Sequence, residues 1–149
     1  DQLAPGRYMG GGIEKLADHC LGSSYPNFSK LSSHGDIIIA GENFGVGSSR
    51  EQAVEALRFL KISAIIAKSF AGIFYRNAIN LGLPAIICKN LEKIRDGDIV
   101  ELNQHRNKLT IICQNIEINL EPIPDNLKEI LRSGGLIPHL KKRLHPKPN

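Results

Sequence analysis

At 149 residues, with 42% hydrophobic and 23% charged residues, the chain has the length and usage of one compact globular domain, which excludes long disorder, a fibrous repeat and a disulfide-dense miniature. The net charge of +4 sits at the end, where His139 to Asn149 hold Lys141, Lys142, Arg143 and Lys147 without an acid and leave a neutral body with no Trp, so nucleic acid is not an expected partner. No apolar run approaches the roughly 18 residues that span a bilayer, so no membrane partner is expected either.

Residues 1–35 are rich in Gly, Ser, Pro and Asn and read as mostly loop, with one helical stretch from Ile13 to Leu21 between Gly10-Gly11-Gly12 and Gly22-Ser23-Ser24. A loop this long in a small domain is a candidate specificity or gating element. The continuous apolar run Asp36 to Gly41 predicts a strand buried on both faces. A helix follows from about Arg50 to Leu60, with Ala53, Val54, Leu57 and Leu60 on one face. Ala64 to Ala67 and Ala85 to Cys88 read as further buried strands, separated by a helix from Phe70 to Leu81 that Gly82 and Pro84 close. Strand, helix, strand, helix, strand implies an α/β fold with a short parallel βαβαβ core. Beyond Asn90, three segments (Asp98 to Leu102, Lys108 to Cys113, Ile116 to Leu120) lie between turn residues such as Asp96-Gly97 and Arg106-Asn107, and predict an antiparallel β section. A final short helix, Asp125 to Arg132, is expected to be capped by Asp125 and stopped by Gly134-Gly135. No linker divides residues 1–149, which read as a single domain.

Cys20, Cys88 and Cys113 are odd in number and widely separated. They predict reduced thiols in a cytoplasmic compartment, and no metal or cofactor bound by this chain alone. His19, His34 and His105 are scattered singles, expected in surface or loop roles. No charged-then-apolar leader opens the sequence, so no signal peptide is expected.

The chemistry concentrates in Gly41-Glu42-Asn43-Phe44-Gly45-Val46-Gly47-Ser48-Ser49-Arg50-Glu51, a strand end, a glycine-rich turn and a helix start. Gly45 and Gly47 let the backbone approach a ligand, Ser48 or Ser49 is placed to cap the helix, and the free N–H groups at a helix start favour an anion. Arg50 adds a planar fork suited to a carboxylate or phosphate. A P-loop fails because its Lys is missing. The dinucleotide fingerprint and the nucleophile elbow both fail because Arg50 stands where each needs Gly.

Gly-Glu-Asn-Phe-Gly-x-Gly-Ser-Ser-Arg-Glu resembles the signature of the aconitase-superfamily swivel domain, closest to the small subunits of 3-isopropylmalate dehydratase and archaeal-type homoaconitase. The opening Asp1 to Met9, the block Lys68-Ser69-Phe70-Ala71 through Ile73-Phe74-Tyr75-Arg76-Asn77 to Gly82-Leu83-Pro84, and the ending Gly134-Gly135-Leu136-Ile137 are similar to that family too, so the resemblance covers nearly the whole chain. It implies a β/β/α swivelling domain that works as a hetero-oligomer with a large subunit, whose [4Fe-4S] cluster acts as Lewis acid on the departing hydroxyl. It implies Ser48 as the base that removes the carbon-bound proton, Ser49, Arg50 and Gly47 as substrate-binding residues, and Asp1 as a supporting carboxylate. Such a base needs a depressed hydroxyl pKa, which a helix start and a neighbouring guanidinium favour.

Gln52, Val46 and Gly72 depart from the residues many members carry (His, Cys and Arg), but none removes a proposed catalytic group. The stretch after Tyr8 selects the substrate's variable arm in this family. Here it reads Met9-Gly10-Gly11-Gly12, without an Arg, which favours an uncharged arm, although Arg7 and Lys15 stand nearby. The expectation is a hydro-lyase small subunit that interconverts 2- and 3-isopropylmalate by dehydration and rehydration in leucine biosynthesis. The alternatives are a related dehydratase of homoaconitate, citraconate or a dimethylmalate, or a non-catalytic anion-binding module, against which the intact Ser48, Ser49 and Arg50 argue.

Overall fold

Three short aliphatic runs form the centre of the computed structural model, which describes residues 2–47 and 50–145. Ile37–Ala40 (β1), Ala64–Ala67 (β2) and Ala85–Ile87 (β3) pair in parallel in the order β1-β2-β3, with Ile38 opposite Ile65 and Ile65 opposite Ala85. Period-two alternation then divides their side chains between two cores. Ile38, Ile65 and Ala85 face helices α1 (Gly12–Asp18), α3 (Gln52–Phe59) and α4 (Gly72–Asn80), where Leu16, Val54, Leu57 and Phe74 are buried. Ile37, Ile39, Ile66 and Ile86 face the other way, onto an antiparallel sheet.

That second sheet is the meander β4 (Val100–Asn103), β5 (Lys108–Ile111) and β6 (Ile116–Asn119). Its register puts Leu102 opposite Leu109 and Leu109 opposite Ile118. Leu109, Ile111 and Ile118 supply its buried face, joined at one side by Leu127 and Leu131 of α5 (Asp125–Arg132). The layers are therefore helix, parallel sheet and antiparallel sheet, which is the expected β/β/α arrangement.

Several local expectations are corrected. β1 is not buried on both faces: among the described residues it pairs on one side only, with β2, and all four of its residues are half-buried, whereas all four of β2 are buried. The first 35 residues hold more structure than a loop, namely a 3-10 helix over Gly6–Gly11, α1 and a single helical turn, α2 (Phe28–Leu31). Asp125 does not cap α5. Pro124 holds that position, and Asp125 is the first helical residue, where its carboxylate still favours the positive end of the helix. A further helix, α6 (Leu136–Leu144), follows, with Pro138 in its first turn where a missing N–H costs nothing. The chain enters α6 through a tight glycine contact. A Cβ on Gly135 would lie 2.6 Å from the Asn80 carbonyl oxygen, and one on Gly82 would lie 2.6 Å from that of Gly134.

Candidate active site

Ligand sites in parallel α/β sheets lie at the carboxyl ends of the strands, where the loops diverge. Here the glycine-rich turn leaves the carboxyl end of β1 and meets the loop that leaves β2. The Phe44 N–H donates to the Ser69 carbonyl (3.0 Å) and the Ala71 N–H donates to the Phe44 carbonyl (2.9 Å), a parallel bridge that extends the pairing of the two strands. Within the turn, Asn43, Gly45 and Gly47 all have left-handed backbones, with φ of 53°, 85° and 81°. Gly45 is the constrained one: a Cβ there would fall on the ring of Phe74, which is itself buried and packs edge-on to Phe44 at 5.3 Å between ring centroids. Gly45→Ala is accordingly expected to destabilise the chain by about 1–3 kcal/mol through combined backbone strain and overpacking. Urea unfolding of the purified chain measures it.

Gly47 is exposed and ends the first described stretch. Ser48 and Ser49 lie outside the described residues. Description resumes at Arg50, which is exposed and precedes the helix, since α3 starts at Gln52 with Glu51 in the N-cap position. The helix thus begins two residues later than its apolar pattern suggested. The Ala53 N–H bonds the Arg50 carbonyl (3.3 Å), so the chain is already winding at Arg50.

Across 41 residues of sequence, the Arg50 Nη1 donates to the Met9 sulfur. This contact brings the stretch that follows Tyr8 to the glycine-rich turn, joining two groups of residues that the sequence singled out separately. Around that stretch the side chains are ordered by stacking: the Tyr8 ring lies on His19 at 3.6 Å between centroids, and the Arg7 guanidinium carbon sits 4.8 Å from the Tyr8 centroid. The Lys15 carbonyl bonds His19 Nδ1 at 2.9 Å. Arg7, Tyr8, Asp18, His19 and Lys30 line an open cleft of about 850 Å³. His19, expected to be an ordinary surface residue, is therefore half-buried in this stack. Gly10, Gly11 and Gly12 differ from one another: a Cβ on Gly10 would meet nothing within 4 Å, one on Gly11 would meet the Lys15 side chain, and Gly12 has φ of 83°.

The loops from β2 and β3 add a charged rim. Lys68 Nζ pairs with Glu92 at 2.8 Å, and this hydrogen bond raises the lysine pKa and lowers that of the glutamate from their ordinary values. Lys89 Nζ donates to the Lys68 carbonyl (2.8 Å). Ser69 Oγ donates to Glu42 Oε2 (2.7 Å) and accepts from the Asn43 N–H (2.7 Å). Ser69 lies in the Lys68-Ser69-Phe70-Ala71 block, whose sequence alone assigns it no role. The available signal was a hydroxyl two residues beyond a fully buried strand.

The donor set does not suit an iron–sulfur cluster. Among the described residues no three His, Cys, Asp or Glu side chains are grouped to hold a metal ion. Cys20 and Cys88 are buried and Cys113 is exposed. Burial pushes the Cys20 thiol up to about 12, far from the thiolate that metal ligation needs. Among the described residues no helix is long and apolar enough to cross a membrane.

The aconitase C-terminal domain family model matches residues 21–91. The methanogen homoaconitase small subunit of Methanocaldococcus jannaschii is 49% identical over 96% of this chain and 84% of its own length. The 3-isopropylmalate dehydratase small subunit 1 of Thermotoga maritima is 45% identical over 95% of this chain and 87% of its own length. A solved structure titled 3-isopropylmalate dehydratase, also from Methanocaldococcus jannaschii, superposes with a TM-score of 0.91 at 49% identity, covering 97% of this chain and 86% of that one.

Proposed function

The chain belongs to the small-subunit family of isopropylmalate dehydratases and homoaconitases, hydro-lyases built on the aconitase C-terminal domain, and on that premise we propose that it is the small subunit of a 3-isopropylmalate dehydratase. The observation that carries the substrate choice is the make-up of Met9-Gly10-Gly11-Gly12, a stretch with no cation of its own, whose Met9 lies against Arg50. In this reading residues 1–149 form one swivel domain that closes over a cluster-bearing large subunit, in a reducing cytoplasmic setting that suits its free cysteines.

Ser48 takes the proton from the substrate carbon while Gly47, Ser49 and Arg50 hold a carboxylate. The neighbouring carbon–oxygen bond then breaks, the hydroxyl leaving with a proton as water, and water adds back to the double bond with the opposite orientation, its hydroxyl on the carbon that lost the proton and the proton on the carbon that lost the hydroxyl. That sequence turns 2-isopropylmalate into 3-isopropylmalate without any net gain or loss of atoms. A homoaconitase-type substrate is the second reading, favoured by the relative at 49% identity and by Arg7 on the cleft beside Tyr8.

Because these residues make up half of a site, the chain purified alone is expected to be folded, colourless and inactive. Activity should appear only when a cluster-bearing large subunit is added. Turnover of isopropylmalate by the isolated chain would show the half-site reading to be wrong.

A further inference from the structure

The glycine-rich turn is shaped from outside itself. Three of its residues (Asn43, Gly45 and Gly47) are left-handed, and because two are glycines, which have many conformations open to them, the turn keeps one shape only where neighbouring groups fix it. Its sole bond of its own among the described residues runs from the Val46 N–H to the Asn43 carbonyl (3.1 Å). The rest come from the loop after β2. Three of these are main-chain bonds, Lys68 N–H to the Gly41 carbonyl, Phe44 N–H to the Ser69 carbonyl and Ala71 N–H to the Phe44 carbonyl, and no side-chain substitution removes them. The remaining hold passes through one hydroxyl: Ser69 Oγ gives its proton to the Glu42 carboxylate and receives the Asn43 N–H, both at 2.7 Å. A hydroxyl has one proton to donate and lone pairs to accept, so a single atom fixes the turn at its first two residues.

We propose that Ser69, oriented by Glu42, is a positioning residue for the proposed dehydratase reaction, clamping the start of the turn at Glu42 and Asn43 so that the described turn up to Gly47 keeps the shape the reaction needs. Lys68 adds a second contact at the same place, its N–H shared between the Ala40 and Gly41 carbonyls (3.3 and 3.1 Å). With the hydroxyl removed, Asn43 N–H and Glu42 turn to water while the main-chain bridge stays. The expected loss is therefore one of geometry and not of folding, and small misplacements of reacting groups cost rate steeply.

The test pairs two measurements on Ser69→Ala, Ser69→Thr, Glu42→Ala and the Ser69→Ala/Glu42→Ala double variant. Amide hydrogen exchange of the free chain should show Asn43 exchanging about tenfold or more faster in Ser69→Ala, with the strand amides of β2 unchanged, and Ser69→Thr restoring protection. In the enzyme reconstituted with its large subunit, Ser69→Ala should lower kcat about 10- to 100-fold with KM nearly unchanged. Ser69→Thr should recover most of that rate, and the double variant should be no slower than the worse single one. Unchanged exchange at Asn43 would overturn the clamp. Faster exchange with normal kcat, or additive losses in the double variant, would overturn its role in positioning. The inference rests on the dehydratase reading, but the two fail separately: a wild-type complex inactive on every hydroxy acid would sink that reading, while the exchange data would still judge the clamp.

Discussion

Ser48→Ala is expected to lower kcat by about 10²- to 10⁴-fold while subunit assembly and KM stay near wild type. A general base is needed mainly in the transition state, so its loss appears in kcat and in kcat/KM together and leaves ground-state binding alone. The demand on this serine is steep, because an aliphatic hydroxyl is a poor base until its proton is lost. On the proposed reading, the cationic side chain of Arg50, two residues on in sequence, favours the deprotonated hydroxyl. Arg50→Ala should therefore raise KM as well as lower kcat, since the guanidinium serves both bound carboxylate and base. Steady-state kinetics on the reconstituted enzyme decides the matter. A Ser48→Ala enzyme with near-normal kcat would transfer the role to Ser49 or remove it from this turn.

Gly10→Arg is expected to narrow or reverse the substrate preference. In the wild-type complex, isopropylmalate should be used with a kcat/KM about 10²-fold or more above homoaconitate, because Gly10-Gly11-Gly12 carries no cation of its own and an added carboxylate buried there and left unpaired by Lys15 would meet a desolvation cost of several kcal/mol. The structure makes position 10 the right one to change. A Cβ there meets nothing within 4 Å, whereas at Gly11 it would strike the Lys15 side chain and at Gly12 it would meet a left-handed backbone. An arginine at 10 starts from the same 3-10 helix that carries Met9 to Arg50. Comparing kcat/KM for both substrates on wild type and variant measures the shift. Equal or better use of the tricarboxylate by wild type would favour the homoaconitase reading and point to Arg7 or Lys15 as the carboxylate partner.

Where the sequence carried local chemistry, the fold could be read from it. Ala64 to Ala67 is a run of small and branched apolar residues between Ser63 and Lys68, and it forms a strand with those same bounds. The antiparallel section was legible from its turns, because Gly97 and Asn107 both take up left-handed backbones (φ 85° and 51°). What escaped depended on partners distant in sequence. An apolar run announces a strand, but whether it lies at the centre or the edge of a sheet is set by pairing, which is why Ile37–Ala40 looked doubly buried and is not. The basic residues Lys141, Lys142 and Arg143 form the last turn of the helix Leu136–Leu144, the solvated helix end that a localised basic stretch suggests, but its start was hidden by Pro138. Within the site, the residue types around Gly45 were legible because a glycine turn has a local cause. The meeting of Arg50 with Met9 and of Ser69 with Glu42 was not, since neither pair has a spacing that predicts it.

Strand β2 belongs to both cores at once: Ile65 closes against the helices and Ile66, its neighbour, against the antiparallel sheet. Neither core can come apart without stripping one face of the same four residues, so the two should be lost together, in the all-or-none manner of small proteins. Damage on the far sheet, at Leu109 or Ile118 for instance, would then reach the glycine-rich turn as a smaller population of folded molecules, each of which keeps an undistorted turn.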